Sequence, residues 1–107
     1  MQYNIRMDPN MIEQNVRARF DHRLSKLALK EKYQAKLTFA CNGGMFKTSP
    51  EMIAFLNLYG NSVIVIPDIY ENPVEINAAE LCNMMKARWQ EQMNAWLVEY
   101  KEIQNQR

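Results

Sequence analysis

The chain predicts an α+β fold: two short antiparallel β-hairpins packed with two long helices and one short helix, in a single domain over residues 1–107. Three observations carry this reading. Two long segments repeat apolar residues at the helical period, and two shorter apolar segments are interrupted by the turn sequences "NGG" and "ENP". Hydrophobic residues make up 48% of the 107 positions and charged residues 23%, the balance of a chain that can bury one core.

The opening "QYNIRM" alternates Tyr3, Ile5 and Met7 with polar residues, which predicts a strand with one buried face. Asp8 and Pro9 then suit the N-cap and first position of a helix running to about Gln34. Ile12, Val16, Phe20, Leu24 and Leu27 follow one another at spacings of 4, 4, 4 and 3, a stripe down one side of that helix. Arg19, Arg23, Lys26 and Lys30 form a basic row beside it.

In "KLTFACNGGMFKT" Leu37, Phe39 and Cys41 alternate inward, and "NGG" supplies the positive φ of a tight hairpin turn. "SPEMIAFLNLYGN" reads as a short helix capped by Ser49, with Pro50 at its first position, Glu51 at the positive end of its dipole, and Gly60 or Asn61 closing it. "SVIVIPDIYENPVEIN" reads as a buried apolar strand, a polar turn and a second strand ending at Ile76, with Val65 joining Leu37 and Phe39 in the core. Asn77 opens a last helix to about Gln104. Its stripe of Leu81, Met85, Trp89, Met93, Trp96, Tyr100 and Ile103 advances about 3.7 residues per step, close to the α-helical period.

The glycines of "CNGGMFKTSP" raise the question of a phosphate-binding loop, which needs glycine directly before the lysine so that backbone N–H groups wrap the anion. Phe46 stands there instead, and Pro50 lacks an N–H at the helix start. The stretch is expected to turn a corner. "PDIYENPVE" gathers Asp68, Glu71 and Glu75 without the spacing and central glycine of a calcium loop, and reads as a solvated acidic hairpin. His22 is the one histidine and there is no Cys-x-x-Cys, so a zinc site lacks ligands; Cys41 and Cys82 are expected as reduced core residues. His22 itself reads as a surface residue. No catalytic residue, cofactor or metal is expected, and no apolar run approaches the ~20 residues that span a bilayer. A cytoplasmic, non-enzymatic protein is the expectation.

The formal net charge of +1 conceals an asymmetry: residues 1–48 carry nine Lys/Arg against four Asp/Glu, whereas residues 49–107 carry four against eight. The two halves can attract each other, or another copy of the chain. Arg19, Arg23, Lys26 and Lys30, joined by Arg17, Lys32 and Lys36 and with Tyr33 available for stacking, are also the residues a nucleic-acid surface would use. Asp21 and Glu31 interrupt that run, and nucleic-acid binding is the alternative reading.

The leading one comes from the last helix. At about 28 residues it would measure roughly 42 Å, longer than a small domain is wide. Trp96, Tyr100 and Ile103 are therefore expected to extend past the core and to meet either the first helix or a second chain, in an interface stripe that starts at Trp89 and Met93. Trp, Tyr and Met are enriched at interface anchors, and the first helix's stripe stops at Leu27, which favours the second chain. A self-associating protein-interaction module follows.

The segment "YENPVEINAAELCNMMKARWQEQMNAWLVEYKEI", with "NGGMFKTSPEMIAFL", resembles small uncharacterised proteins of large contractile-tailed bacteriophages, over about the last two thirds of the chain. The resemblance implies a phage accessory or assembly factor in the host cytoplasm. It transfers no functional residue.

Overall fold

The computed structural model describes residues 9–105. Over these the fold is α+β, in the order α1 (Pro9–Ala35), β1 (Thr38–Cys41), β2 (Gly44–Lys47), α2 (Pro50–Asn57), β3 (Val63–Pro67), β4 (Pro73–Asn77) and α3 (Ala78–Asn105). The strand expected in "QYNIRM" and the cap expected at Asp8 lie outside the described residues. Strands β1 and β2 pair antiparallel with Phe39 opposite Phe46, and β3 and β4 with Ile64 opposite Ile76, as two separate two-stranded sheets.

The turn in "CNGG" is built from Asn42 at φ 49° and Gly43 at φ 82°. Positive φ at both central residues is the primed turn whose twist matches a two-residue hairpin. Helix α2 starts as its residues dictate: Ser49 Oγ accepts the Met52 N–H at 3.1 Å, and Pro50 follows at the first turn. It ends at Asn57, ahead of the Gly60 expected to close it. Asn77 caps α3 by accepting the Glu80 N–H at 3.0 Å through Oδ1.

The core lies between the hairpins, α2 and the first two turns of α3, where Phe46, Leu56, Ile76, Leu81 and Met85 are almost wholly buried. Two expectations need correction. Strand β3 is not a buried apolar strand, because it has no layer on its outer side: Ile66 is buried while Val63 and Val65 face solvent. Val65 therefore stands opposite Glu75 on the exposed face; Phe39 is in the core, and Leu37 is buried where the first hairpin joins the end of α1.

The acidic turn is also more than a solvated loop. Asp68 is buried, and its carboxylate accepts the N–H groups of Tyr70 and Asn72 at 2.9 and 3.0 Å through Oδ1 and that of Met45 at 3.1 Å through Oδ2. The Ile69 N–H returns to the Met45 carbonyl at 2.9 Å. One side chain thus closes the β3–β4 turn and ties it to β2. The hairpins come so close beside it that Gly44 is needed: a Cβ there would lie 2.7 Å from Val74 Cγ2 and 3.3 Å from Asp68 Cβ.

Because Val74 is buried and β-branched, it cannot swing aside, and Gly44→Ala is expected to cost about 1–3 kcal/mol of stability, as overpacking does. Urea unfolding of parent and variant measures this; an unchanged midpoint would contradict the close approach. The N–H groups of Asn72, Met45 and Tyr70 hold Asp68 below the usual carboxylate range. A depressed folded-state pKa gives stability that is complete above the unfolded value, near ~3.9, and lost as pH falls through the folded one. Asp68→Asn should therefore lower the melting temperature at neutral pH, where the amide turns an N–H toward a backbone donor, and should approach the parent in strong acid. Parallel melting curves at every pH would count against this.

Candidate interaction surface

Helix α1 meets α3 through the half of α1 that precedes β1. Leu29 and Tyr33 are buried, and with half-buried His22 and Lys26 they form one face at spacings of 4, 3 and 4. The helices run antiparallel: Tyr33 donates its hydroxyl to Glu99 Oε1, Lys32 Nζ reaches the same oxygen at 2.9 Å, and Lys26 Nζ stands 5.4 Å from the Tyr100 ring centroid. Hydrogen bonds from Lys32 and then Tyr33 hold the Glu99 carboxyl below its ordinary range, while the Glu99 carboxylate raises both partners. The ion pair is half-exposed, so water screens it and it adds little. Burial of Leu29 alone is worth roughly 1.5–3 kcal/mol. Burial holds the helices together, and Glu99 sets their register.

The face that packs is not the stripe the sequence displays. Ile12, Val16, Phe20, Leu24 and Leu27 lie on another side of α1 and are between 46% and 58% exposed, with Met11 also exposed. Since Lys26 is already beside Tyr100, near the end of α3, α1 continues past its neighbour, and every residue from Asn10 to Asp21 is exposed. The protein is accordingly 78 Å long and 20–25 Å across, with a radius of gyration of 21.9 Å where a compact chain of this size has about 13 Å. The projecting helix is α1, where length and period had pointed to α3.

The anchor residues of α3 divide along its length. Leu81 and Met85 belong to the core, while Trp89, Met93, Trp96, Tyr100 and Ile103 are each half-buried, with α1 along one side. Met93, Trp96 and Tyr100, with Leu97, also line an open, apolar groove of about 350 Å³. The Trp96 indole N–H is buried and meets no acceptor among the described residues.

The basic row is brought to one side of α1. Arg19, Arg23 and Lys30 are exposed, and Lys26 is engaged with Tyr100. Val16, Arg19, Phe20 and Arg23 together line a shallow concavity of about 250 Å³, so the row directly borders the apolar stripe. Arg17 pairs with Glu13 at 3.0 Å and Lys32 with Glu99, outside the row. Tyr33 cannot serve as a stacking platform: it is 3% exposed, its hydroxyl is bound to Glu99, and Lys32 and Lys36 lie over its ring. His22 is half-buried rather than a surface residue, since it falls on the packing face. Cys82 is buried, and Cys41 is partly buried with Sγ 3.9 Å from Met84 Sδ; burial, and then Glu80, push the Cys41 thiol up.

Among the described residues no cluster of three or more His, Cys, Asp or Glu could hold a metal ion, and no helix is long and apolar enough to cross a membrane. No protein-family model, curated protein or solved structure matches the chain.

Proposed function

We propose that the protein is a non-enzymatic interaction module that self-associates through its helices, an accessory or assembly factor of a large contractile-tailed bacteriophage acting in the host cytoplasm. The observation that carries this reading is the uncovered stripe Ile12, Val16, Phe20, Leu24 and Leu27 on a helix that outruns its own domain. Five large apolar side chains at regular spacing form a continuous band roughly 22 Å long, at 1.5 Å per residue, which is how helices present a docking face. The half-buried Trp89, Met93, Trp96, Tyr100 and Ile103 on α3 supply further anchors of the types found at hot spots. The phage assignment rests on the sequence resemblance.

A second reading is favoured by one arrangement, the exposure of Arg19, Arg23 and Lys30 on a projecting helix. A nucleic acid would meet these cations, but it has no use for the apolar stripe beside them, so the protein partner is preferred. Titration with single- and double-stranded DNA at two ionic strengths separates the readings, because phosphate contacts weaken steeply with salt. Binding that is lost at the higher salt, by a protein that stays monomeric, would favour the nucleic acid.

Self-association makes the melting temperature of the parent rise with protein concentration. If Trp96 anchors the contact, Trp96→Ala should weaken assembly by about 2 kcal/mol or more and reduce that dependence. A parent midpoint that is the same at two concentrations a hundredfold apart, with a variant melting far lower, would mean that Trp96 serves only to pack α1 on α3.

A further inference from the structure

We infer that the arm of α1 from one copy lies in the groove formed by Met93, Trp96, Leu97 and Tyr100 on α3 of a second copy, each chain giving one arm and receiving one. This rests on the self-association proposed above and adds which surfaces meet. The stripe covers roughly 22 Å of helix from Ile12 to Leu27, and the groove from Met93 to Tyr100 takes roughly 10 Å of it, about the reach of Val16 to Leu24. They match in chemistry, since the stripe is exposed aliphatic and aromatic surface and the groove is lined by Met, Trp, Leu and Tyr.

They also open on the same side of the helical pair. Lys26 reaches the Tyr100 ring at the groove's edge, and the basic row that starts at Lys26 runs on through Arg19 and Arg23 to the stripe. An arm crossing from a partner on that side covers the groove without displacing the chain's own α1.

Charge selects this pairing over arm against arm. From Ile12 to Leu27 the arm holds four Lys/Arg and two Asp/Glu, so two arms side by side would set positive against positive. The stretch of α3 around the groove, Trp89 to Ile103, holds Lys101 against Glu91, Glu99 and Glu102, an acidic balance that receives the basic arm. Closure follows from symmetry. A reciprocal exchange about one two-fold axis uses each arm and each groove once and leaves no free copy of either, whereas a one-way contact would propagate into a filament. The exposed halves of the five large side chains on each arm, on the order of 100 Å² each, together with the α3 surface they cover, bring such a dimer into the standard range of about 1,600 Å².

Sedimentation of complementary variants tests the arrangement. Phe20→Asp spoils the arm and Leu97→Asp the groove; both residues are more than half exposed within one chain, and circular dichroism checks that the helices persist. Each variant alone should show a dimer dissociation constant raised by about tenfold or more. An equimolar mixture retains one sound arm and one sound groove per heterodimer, and should associate more tightly than either variant with itself. Phe20→Ser and Leu97→Ser provide a milder pair where aspartate disturbs a helix. A Leu97 variant that associates as the parent does, or a mixture with no gain, overturns the arm-in-groove arrangement and leaves self-association standing; a monomeric parent at micromolar concentration overturns both.

Discussion

The register of α1 on α3, fixed where Tyr33 and Lys32 meet Glu99, is the constraint from which the shape of the molecule follows. Both helices are long, 27 and 28 residues, and two such helices in full overlap would give a compact hairpin. Here the overlap joins the second half of α1 to the second half of α3, so the first half of α1 is carried beyond the domain. Moving the contact by one turn toward the start of α1 would shorten the arm by about 5.4 Å and bring Lys26 away from Tyr100. The carboxylate adds little energy in its half-exposed setting, yet it is the polar group that distinguishes this register from its neighbours.

That register needs a rigid base, and the hairpins provide it. Asp68 and Gly44 act on the same junction from opposite directions: the carboxylate draws Met45 and the β3–β4 turn together, and the missing Cβ lets Val74 approach. With the hairpins fused, Ile76 and Phe46 close over the first two turns of α3, and α3 leaves the core in a fixed direction. The seam with α1 is then a second, smaller core of Leu29, Tyr33 and Leu37 along the outer half of the same helix. The short loop from Ala35 to Thr38 joins the two cores, since the Leu37 carbonyl accepts the Thr48 N–H at 2.8 Å and extends the first hairpin to the end of α1.

Local chemistry made most of the fold legible in the sequence. Asn42-Gly43, Ser49-Pro50 and Asn77 each act within a few residues, and the turn, the cap and the helix start fall where these residues put them. What was not legible depends on which of two possible faces is covered. In α1 the face that packs, His22, Lys26, Leu29 and Tyr33, is half polar and gives a weaker periodic signal than the stripe through Phe20, so period alone selects the wrong side for the intrachain contact. Val65 was misplaced for the related reason that an apolar run does not say whether a strand has one layer or two against it. Asp68 reads as one acid in a polar turn, because its partners are backbone N–H groups that leave no mark in the sequence, Met45 among them from another hairpin.

The stripe on α1 is then to be explained by something other than its own fold. Helices of fewer than about 12–15 residues are marginal in water, and the twelve exposed residues from Asn10 to Asp21 gain their helicity by continuing a helix anchored at Leu29 and Tyr33. A polar sequence would suffice for such a continuation. Ile12, Val16, Phe20 and Leu24 instead lower the helix's solubility for no gain among the described residues, since each stays about half in water. The benefit arises only when another surface covers them, and burial at about 25 cal/mol per Å² then stabilises the arm and the contact in one step. Order in the arm and assembly of the protein are, on the proposed reading, the same event, with the α1–α3 register deciding how much arm is offered.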